Sequence, residues 1–190
     1  MFDDQIPAVD KNGEICLTVA DKWCKMDASG EEWGKNYLIL IFKIYKPMFI
    51  GEYTHNLDSK GRLAVPAKFR RELNKGAVVT RGLDNCLFLY TKTEWQKLAE
   101  KLATLPISSA KARAFARLML AGAMDVELDK QGRVILPEYL RGFAKLSKNT
   151  IIAGLYSRLE IWDKKIWEQY KGRNEKQSAQ IAEQMGELGV

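Results

Sequence analysis

The hydrophobic and polar positions of this chain follow two rhythms that alternate along it. Residues 53–57, Tyr-Thr-His-Asn-Leu, alternate, and so do residues 62–66, Arg-Leu-Ala-Val-Pro. A period of two marks a strand with one face against a core. Between the two runs lies Asp58-Ser59-Lys60-Gly61. Asp opens such turns by accepting from downstream amides, and Gly supplies a positive φ near the end. The pattern predicts a β-hairpin. Pro66, with its φ already set and no amide to waste, predicts a short helix over 67–73. Apolar runs at 77–81 and 86–90 predict a strand pair. The rhythm then changes to steps of three and four. Trp95, Leu98, Leu102 and Leu105 predict a helix capped by Thr93.

The same grammar returns. Asp125-Val126-Glu127-Leu128, the turn Asp129-Lys130-Gln131-Gly132 and the run Arg133-Val134-Ile135-Leu136-Pro137 repeat the first unit at an offset of 71. Leu57/Leu128, Asp58/Asp129, Gly61/Gly132, Arg62/Arg133, Pro66/Pro137 and Arg70/Arg141 coincide, and at an offset of 72 so do Gly82/Gly154, Leu87/Leu159 and Trp95/Trp167. One supersecondary unit built twice is expected to pack as a pseudo-symmetric pair. Copy two predicts a helix over 138–144, strands at 150–153 and 158–162, and a helix capped by Asp163 that presents Ile166, Trp167 and Tyr170. Between the copies, Pro106 breaks the chain. Ser108 or Ser109 then caps a helix of about 109–122, with Phe115, Leu118, Met119 and Gly122 as its core face. The domains expected are an N-terminal extension (1–47), repeat 1 (48–105), a connecting helix (106–124), repeat 2 (125–170) and a tail (171–190). In the tail, Ile181, Met185 and Leu188 suit a frayed or partner-dependent helix. Residues 14–19 and 37–45 are candidate strands of the extension.

Charge sharpens the division. Residues 1–47 carry 6 Lys against 8 acidic residues, whereas residues 48–190 carry 24 Lys and Arg against 16, including every Arg of the chain. Arg suits phosphate and guanine because its planar fork donates two parallel bonds. Cys16, Cys24 and Cys86 are odd in number and lack CxxC spacing, which speaks for a reducing compartment and against a disulfide framework or a zinc site. Cys86, in the run CLFLY, reads as a core residue. The one histidine, His55, is a poor start for a metal or triad site. The longest apolar stretch, 37–45, contains Lys43 and falls far short of the roughly 20 residues that a membrane helix needs. It also makes a poor signal peptide. The expectation is a cytoplasmic protein with no membrane partner.

The candidate chemistry is the D-x-x-x-R turn, present twice. Asp58, Gly61, Asp129 and Gly132 read as turn-structural residues. Each Arg can pair with its turn Asp. Equally, a tip bearing Lys and Arg beside Gly can reach a groove, and a two-stranded ribbon fits the major groove. The candidate DNA-binding residues are Lys60, Arg62, Lys130 and Arg133 at the tips, with Lys68, Arg70 and Arg71 as a phosphate patch in copy one. Copy two has Glu138, Arg141 and Gly142 in the comparable stretch, a weaker patch. Asp58 and Asp129 are expected at separate tips, and no nucleophile–base pair, phosphate-cradling glycine loop or metal cluster accompanies them. The reading is a non-enzyme without catalytic or metal residues, cofactor or small-molecule substrate.

The segments MFIGEYTHNLDSKGRLAVPAKFRREL, ELDKQGRVILPEYLR, GLDNCLFLYTKTEW and GLYSRLEIWDKKIW closely resemble the MraZ family of bacterial transcriptional regulators, over about residues 48–170. The resemblance implies an α+β fold of the AbrB/MazE/SpoVT type: a pseudo-two-fold swapped-hairpin β-barrel made of two tandem repeats, with short helices packed outside. It implies a ring-shaped homo-oligomer that binds direct repeats in double-stranded promoter DNA, is nucleoid-associated, and represses the division and cell-wall gene cluster including its own gene. The family's DNA-binding element is the D-x-x-x-R loop, which carries over to Arg62 and Arg133. Residues 1–47 depart from the family and are expected to be a misplaced start or a lineage-specific extension. The rival expectation is an antitoxin-like protein-interaction module using the tail 171–190.

Overall fold

The structure, a computed structural model, describes residues 8–9, 15–16 and 48–186. The chain divides into two units, Met1–Lys46 and Pro47–Val190. In the first, β1 (Ala8–Val9) and β2 (Ile15–Cys16) pair antiparallel, Val9 opposite Ile15. The expected strand at 37–45 lies outside the described residues.

In the second unit, repeat 1 supplies β3 (Phe49–Asn56), β4 (Arg62–Ala64), α1 (Ala67–Leu73), β5 (Ala77–Arg81), β6 (Leu87–Thr91) and α2 (Lys92–Ala103). Helix α3 (Ala110–Leu120) leads on to repeat 2: β7 (Met124–Val126), β8 (Arg133–Ile135), α4 (Glu138–Phe143), β9 (Asn149–Tyr156), β10 (Arg158–Asp163) and α5 (Lys164–Lys176). Helix α6 (Ser178–Gly186) closes the described chain.

The expected hairpins are corrected by the partners the strands choose. β3 and β4 touch through a single bridge, Leu57 with Leu63. β3 pairs instead with β9 of the other repeat, from Phe49–Tyr156 to Asn56–Asn149. β4 pairs with β8, and β7 pairs with β5. One large antiparallel sheet runs β3-β9-β10-β6-β5-β7, and β4-β8 forms a separate two-stranded ladder. Exchanging equivalent strands of the two repeats turns the large sheet's order into its own reverse and returns β4-β8 to itself. A pseudo-two-fold axis therefore passes between β6 and β10 and between β4 and β8. The large ladder is open, with β3 and β7 at its two ends.

Burial explains the exchange. On β6, Leu87 and Leu89 enter a core with Leu63, Val65, Val134, Leu136, Ile152, Leu159 and Ile161. Their alternates Phe88 and Tyr90 face the other way, into a second core with Leu102, Met119 and Trp162. Successive strand residues point to opposite faces. β6 is thus buried on both sides and reads as an apolar run, whereas its neighbour β10 buries Glu160, which accepts from Trp162 Nε1 and Arg158. Leu63 and Val134, opposite each other on β4 and β8, are both fully buried. One repeat cannot cover these faces alone.

The helices start largely where the sequence placed them. α1 and α4 follow Pro66 and Pro137. Asp163 caps α5, its Oδ1 accepting from Lys165 N and Ile166 N. Ser109 Oγ caps α3. The cap of α2 is Thr91 and not Thr93, because the helix begins as soon as β6 ends and Thr91 Oγ1 accepts from Glu94 N. The core face of α3 is also narrower than expected: Met119 is buried, but Phe115 is 40% exposed.

Candidate nucleic-acid interface

The two D-x-x-x-R turns have the same construction. In the first, Asp58 Oδ1 accepts from the amides of Lys60 and Arg62, both at 2.9 Å. The amide of Asp58 donates to the Arg62 carbonyl and that of Gly61 to the Asp58 carbonyl. In the second, Asp129 Oδ1 accepts from Gln131 N and Arg133 N at 2.9 and 3.0 Å. Gly61 and Gly132 have φ of 74° and 75°, which an L-side chain adopts only under strain.

Both turns also hold their arginine. Arg62 Nε donates to Asp58 Oδ2 at 2.6 Å. Arg133 donates to Asp129 Oδ2 from Nε at 2.8 Å and Nη2 at 2.6 Å. The backbone N–H of Arg62, then its side chain, holds the Asp58 carboxyl below its usual value. The Arg133 side chain, reinforced by backbone amides, brings Asp129 down to about 2. These pairings leave each guanidinium with donors to spare, since an Arg carries five N–H groups in a fixed fork. The carboxylate orients the fork without exhausting it.

The β4-β8 ladder gathers the two turns. Arg62 lies opposite Ile135, and Ala64 opposite Arg133. Opposed residues share a face and alternate residues return to it. Arg62, Ala64, Arg133 and Ile135 therefore form the outward face, and Leu63 and Val134 the buried one. Two residues of rise and one strand spacing put the arginine Cα atoms about 8 Å apart. Lys60 and Lys130 are exposed on the turns themselves. The result is a two-stranded ribbon whose outward face carries oriented arginines, with a lysine beside each. The apolar Ile135, 60% exposed beside Arg62, is a feature of that face which the sequence reading did not single out.

Lys68, Arg70 and Arg71 of the copy-one patch all lie on α1, and two of them also tie to backbone carbonyls. Lys68 Nζ donates to the Ile50 carbonyl at 2.6 Å and sits 4.7 Å from the Tyr53 and Phe69 ring centroids. Its counterpart Tyr139 makes a comparable tie, its hydroxyl donating to the Gly122 carbonyl. Position 68/139 thus pins helix to preceding chain in both repeats. Arg70 Nε donates to the Val65 carbonyl at 2.8 Å. Of the three, Arg71 remains as an exposed side chain without such a tie described. Arg141, set aside as part of a weaker patch, mirrors Arg70, its Nε donating to the Leu136 carbonyl. The signal that could have found this role is the internal match: Arg70/Arg141 recurs in both copies, whereas Lys68 and Arg71 become Tyr139 and Gly142.

Among the described residues, no group of His, Cys, Asp and Glu is placed to hold a metal, and no helix is long and apolar enough to cross a membrane. Burial pushes the Cys86 thiol well above its usual value, in keeping with a core residue.

Fold and site together define a duplicated-repeat α+β protein whose two halves share one basic, two-stranded ribbon. Comparison with known proteins says which one: the sequence matches, twice in tandem, over residues 48–118 and 119–188, the family described as "MraZ protein, putative antitoxin-like". It is 48% identical over 143 residues to the Transcriptional regulator MraZ of Caldanaerobacter subterraneus subsp. tengcongensis, covering 75% of this chain and 100% of that protein. It is 50% identical over 141 residues to that of Desulforamulus reducens, covering 74% and 99%. Against that of Halothermothrix orenii it is 50% identical over 143 residues, covering 75% and 100%. The chain belongs to the MraZ family.

Proposed function

We propose that this chain is a sequence-specific DNA-binding transcriptional regulator. The observation that carries the reading is the outward face of the β4-β8 ribbon. It holds Arg62 and Arg133, each oriented by its turn carboxylate, with exposed Lys60 and Lys130 alongside. Arg bidentate to guanine O6/N7 is the commonest specific base contact, and the major groove, roughly 12 Å wide, admits a two-stranded ribbon. Lys60, Lys130 and Arg71 supply phosphate contacts, which carry affinity and its salt dependence but no sequence information. The names of the relatives support a regulatory role.

The finer picture follows from the family resemblance. We read the two ladders as walls of a pseudo-two-fold swapped-hairpin barrel, for which the self-reversing strand order speaks. One subunit offers two tips, worth about 1–3 kcal/mol of discrimination per good bidentate contact. A ring of subunits reading direct repeats multiplies such weak sites through effective concentration. The targets are promoter repeats ahead of a division and cell-wall gene cluster including this gene, with repression as the outcome. The working compartment is the cytoplasm, at the nucleoid. The test is an operator series in which one repeat is removed or the spacing is changed by half a helical turn. Binding should weaken sharply; equal affinity for single and multiple repeats would contradict the ring. The rival, an antitoxin-like interaction module, is favoured by the description of the family as antitoxin-like and by the exposed helix α6. A stoichiometric protein partner copurifying in place of promoter affinity would select it.

A further inference from the structure

Arg70 of α1 and Arg141 of α4 lie against the turn of the opposite repeat. A Cβ placed on Gly132 would fall within 2.5 Å of Arg70 Cδ and Cζ. One placed on Gly61 would lie 3.0 Å from Arg141 Nε and 3.1 Å from its Cζ. Each arginine side chain thus occupies the space beside the turn glycine of the opposite repeat that a Cβ would fill. Each contact closes a loop of hydrogen bonds. Gly132 O accepts from Val65 N at 2.9 Å, and Val65 O accepts from Arg70 Nε, which covers Gly132. Gly61 O accepts from Leu136 N at 2.8 Å, and Leu136 O accepts from Arg141 Nε, which covers Gly61. The arrangement occurs twice, under the same pseudo-two-fold axis.

We propose that Arg70 and Arg141 are positioning residues acting across the repeats: Arg70 sets the turn that presents Arg133, and Arg141 sets the turn that presents Arg62. The inference rests on the DNA-binding reading of the turns. A turn that pivots at its glycine would sweep the following arginine off its target, and a misplacement of about 1 Å is enough to weaken a tuned contact. On this proposal Arg70 acts as a brace in place of a phosphate contact, although its terminal N–H groups are not engaged by the Val65 bond. Its Nε is committed to Val65 O, its Cδ–Nε–Cζ segment lies against Gly132, and its side chain is half-buried. The planar fork is the part that fits; a lysine keeps the charge but neither the plane nor the Nε donor.

Two measurements on the full chain decide it, using Arg70→Lys and Arg141→Lys, with Arg70→Ala as a charge control. In the first, amide NMR spectra are recorded on the DNA-free protein. Arg70→Lys should shift the amides of residues 129–133 more than those of 58–62, and Arg141→Lys should do the reverse. Perturbation confined to each variant's own turn, or absent from both turns, overturns the proposal. In the second, promoter DNA is titrated at several salt concentrations. Arg70→Lys should weaken promoter binding on the order of tenfold, the size of one lost guanidinium contact, with the salt slope unchanged. Combined with Arg133→Ala it should add little, whereas combined with Arg62→Ala the losses should multiply, since coupling is confined to groups that act together. Wild-type binding by Arg70→Lys, with a slope reduced by about one unit in Arg70→Ala, would mark a phosphate contact and overturn the proposal. If the wild-type protein shows no promoter preference, the DNA reading fails, while the spectra of the free protein still decide the brace.

Discussion

Beside the turns, the repeats differ. Copy one places Arg71 on the exposed flank of α1, where copy two has Gly142. It holds Arg62 to Asp58 through Nε alone, where Arg133 grips Asp129 through Nε and Nη2. The first tip is therefore richer in available cation and looser in its arginine, and the second is poorer and more firmly tied. Duplication preserved the turn, the glycine and the bracing arginine, which the shared core demands of both copies. It left free the positions that touch only solvent or a partner. A two-headed ribbon with unequal heads suits a directional target, and copy one is expected to contribute more of the binding.

The comparison breaks most sharply at the turn glycines. Alanine at Gly61 or Gly132 incurs about 1–2 kcal/mol for the left-handed backbone. At Gly132 the methyl also meets Arg70 more closely than a methyl at Gly61 meets Arg141, adding about 1–3 kcal/mol of overpacking. Thermal or urea unfolding should rank Gly132→Ala well below Gly61→Ala. Equal losses would mean that the bracing arginines yield without resistance.

Gly142→Arg should sharpen the comparison by equipping copy two like copy one. A Cβ at Gly142 meets nothing within 4 Å. Gly142 lies in the last turn of α4, where a cation near a helix C-terminus contributes about 0.3–1 kcal/mol, and the substitution should steepen the salt dependence of DNA binding by about 0.9 per added phosphate contact. An unchanged slope would show that this flank of α4 does not face DNA.

Acid should separate the turns. Both carboxylates are depressed in the folded protein, so their stabilisation is fully present above the unfolded value of about 3.9 and is lost as pH falls through the folded values. With Asp129 held at about 2 by its doubly bonded arginine, the second turn should survive to lower pH than the first. Carboxyl titration followed by NMR checks this order. Smallest of all should be the effect of Lys68→Ala on DNA. With its ammonium on Ile50 O, the substitution should lower the melting temperature slightly and leave the salt slope alone.

Much of this was legible in the sequence. Internal repetition, helix positions and the turn chemistry of Asp58 and Gly61 are local properties, and local patterns display them. Strand partners are not local. Alternation reveals which residues share a face but not which strand lies alongside, so β3 looked like half of a hairpin when its partner, β9, begins at Asn149. The chemistry of Lys68 and Arg70 was hidden for the same reason. Charge alone suggests phosphate, and only the fold reveals a carbonyl at Ile50 or a bare glycine at 132 waiting for the side chain.

The central claim is that the turn arginines read DNA while their aspartates hold the turn. Arg62→Ala, Arg133→Ala and Asp58→Ala, each taken through thermal unfolding and through promoter and random-DNA titrations at several salt concentrations, test it most directly. The account predicts that Arg62→Ala loses about 1–3 kcal/mol of promoter preference with little change in melting. It predicts a milder loss for Arg133→Ala and early melting for Asp58→Ala. An Arg62→Ala protein that melts early yet binds the promoter normally would contradict it, and would make Arg62 a structural partner of Asp58 and nothing more.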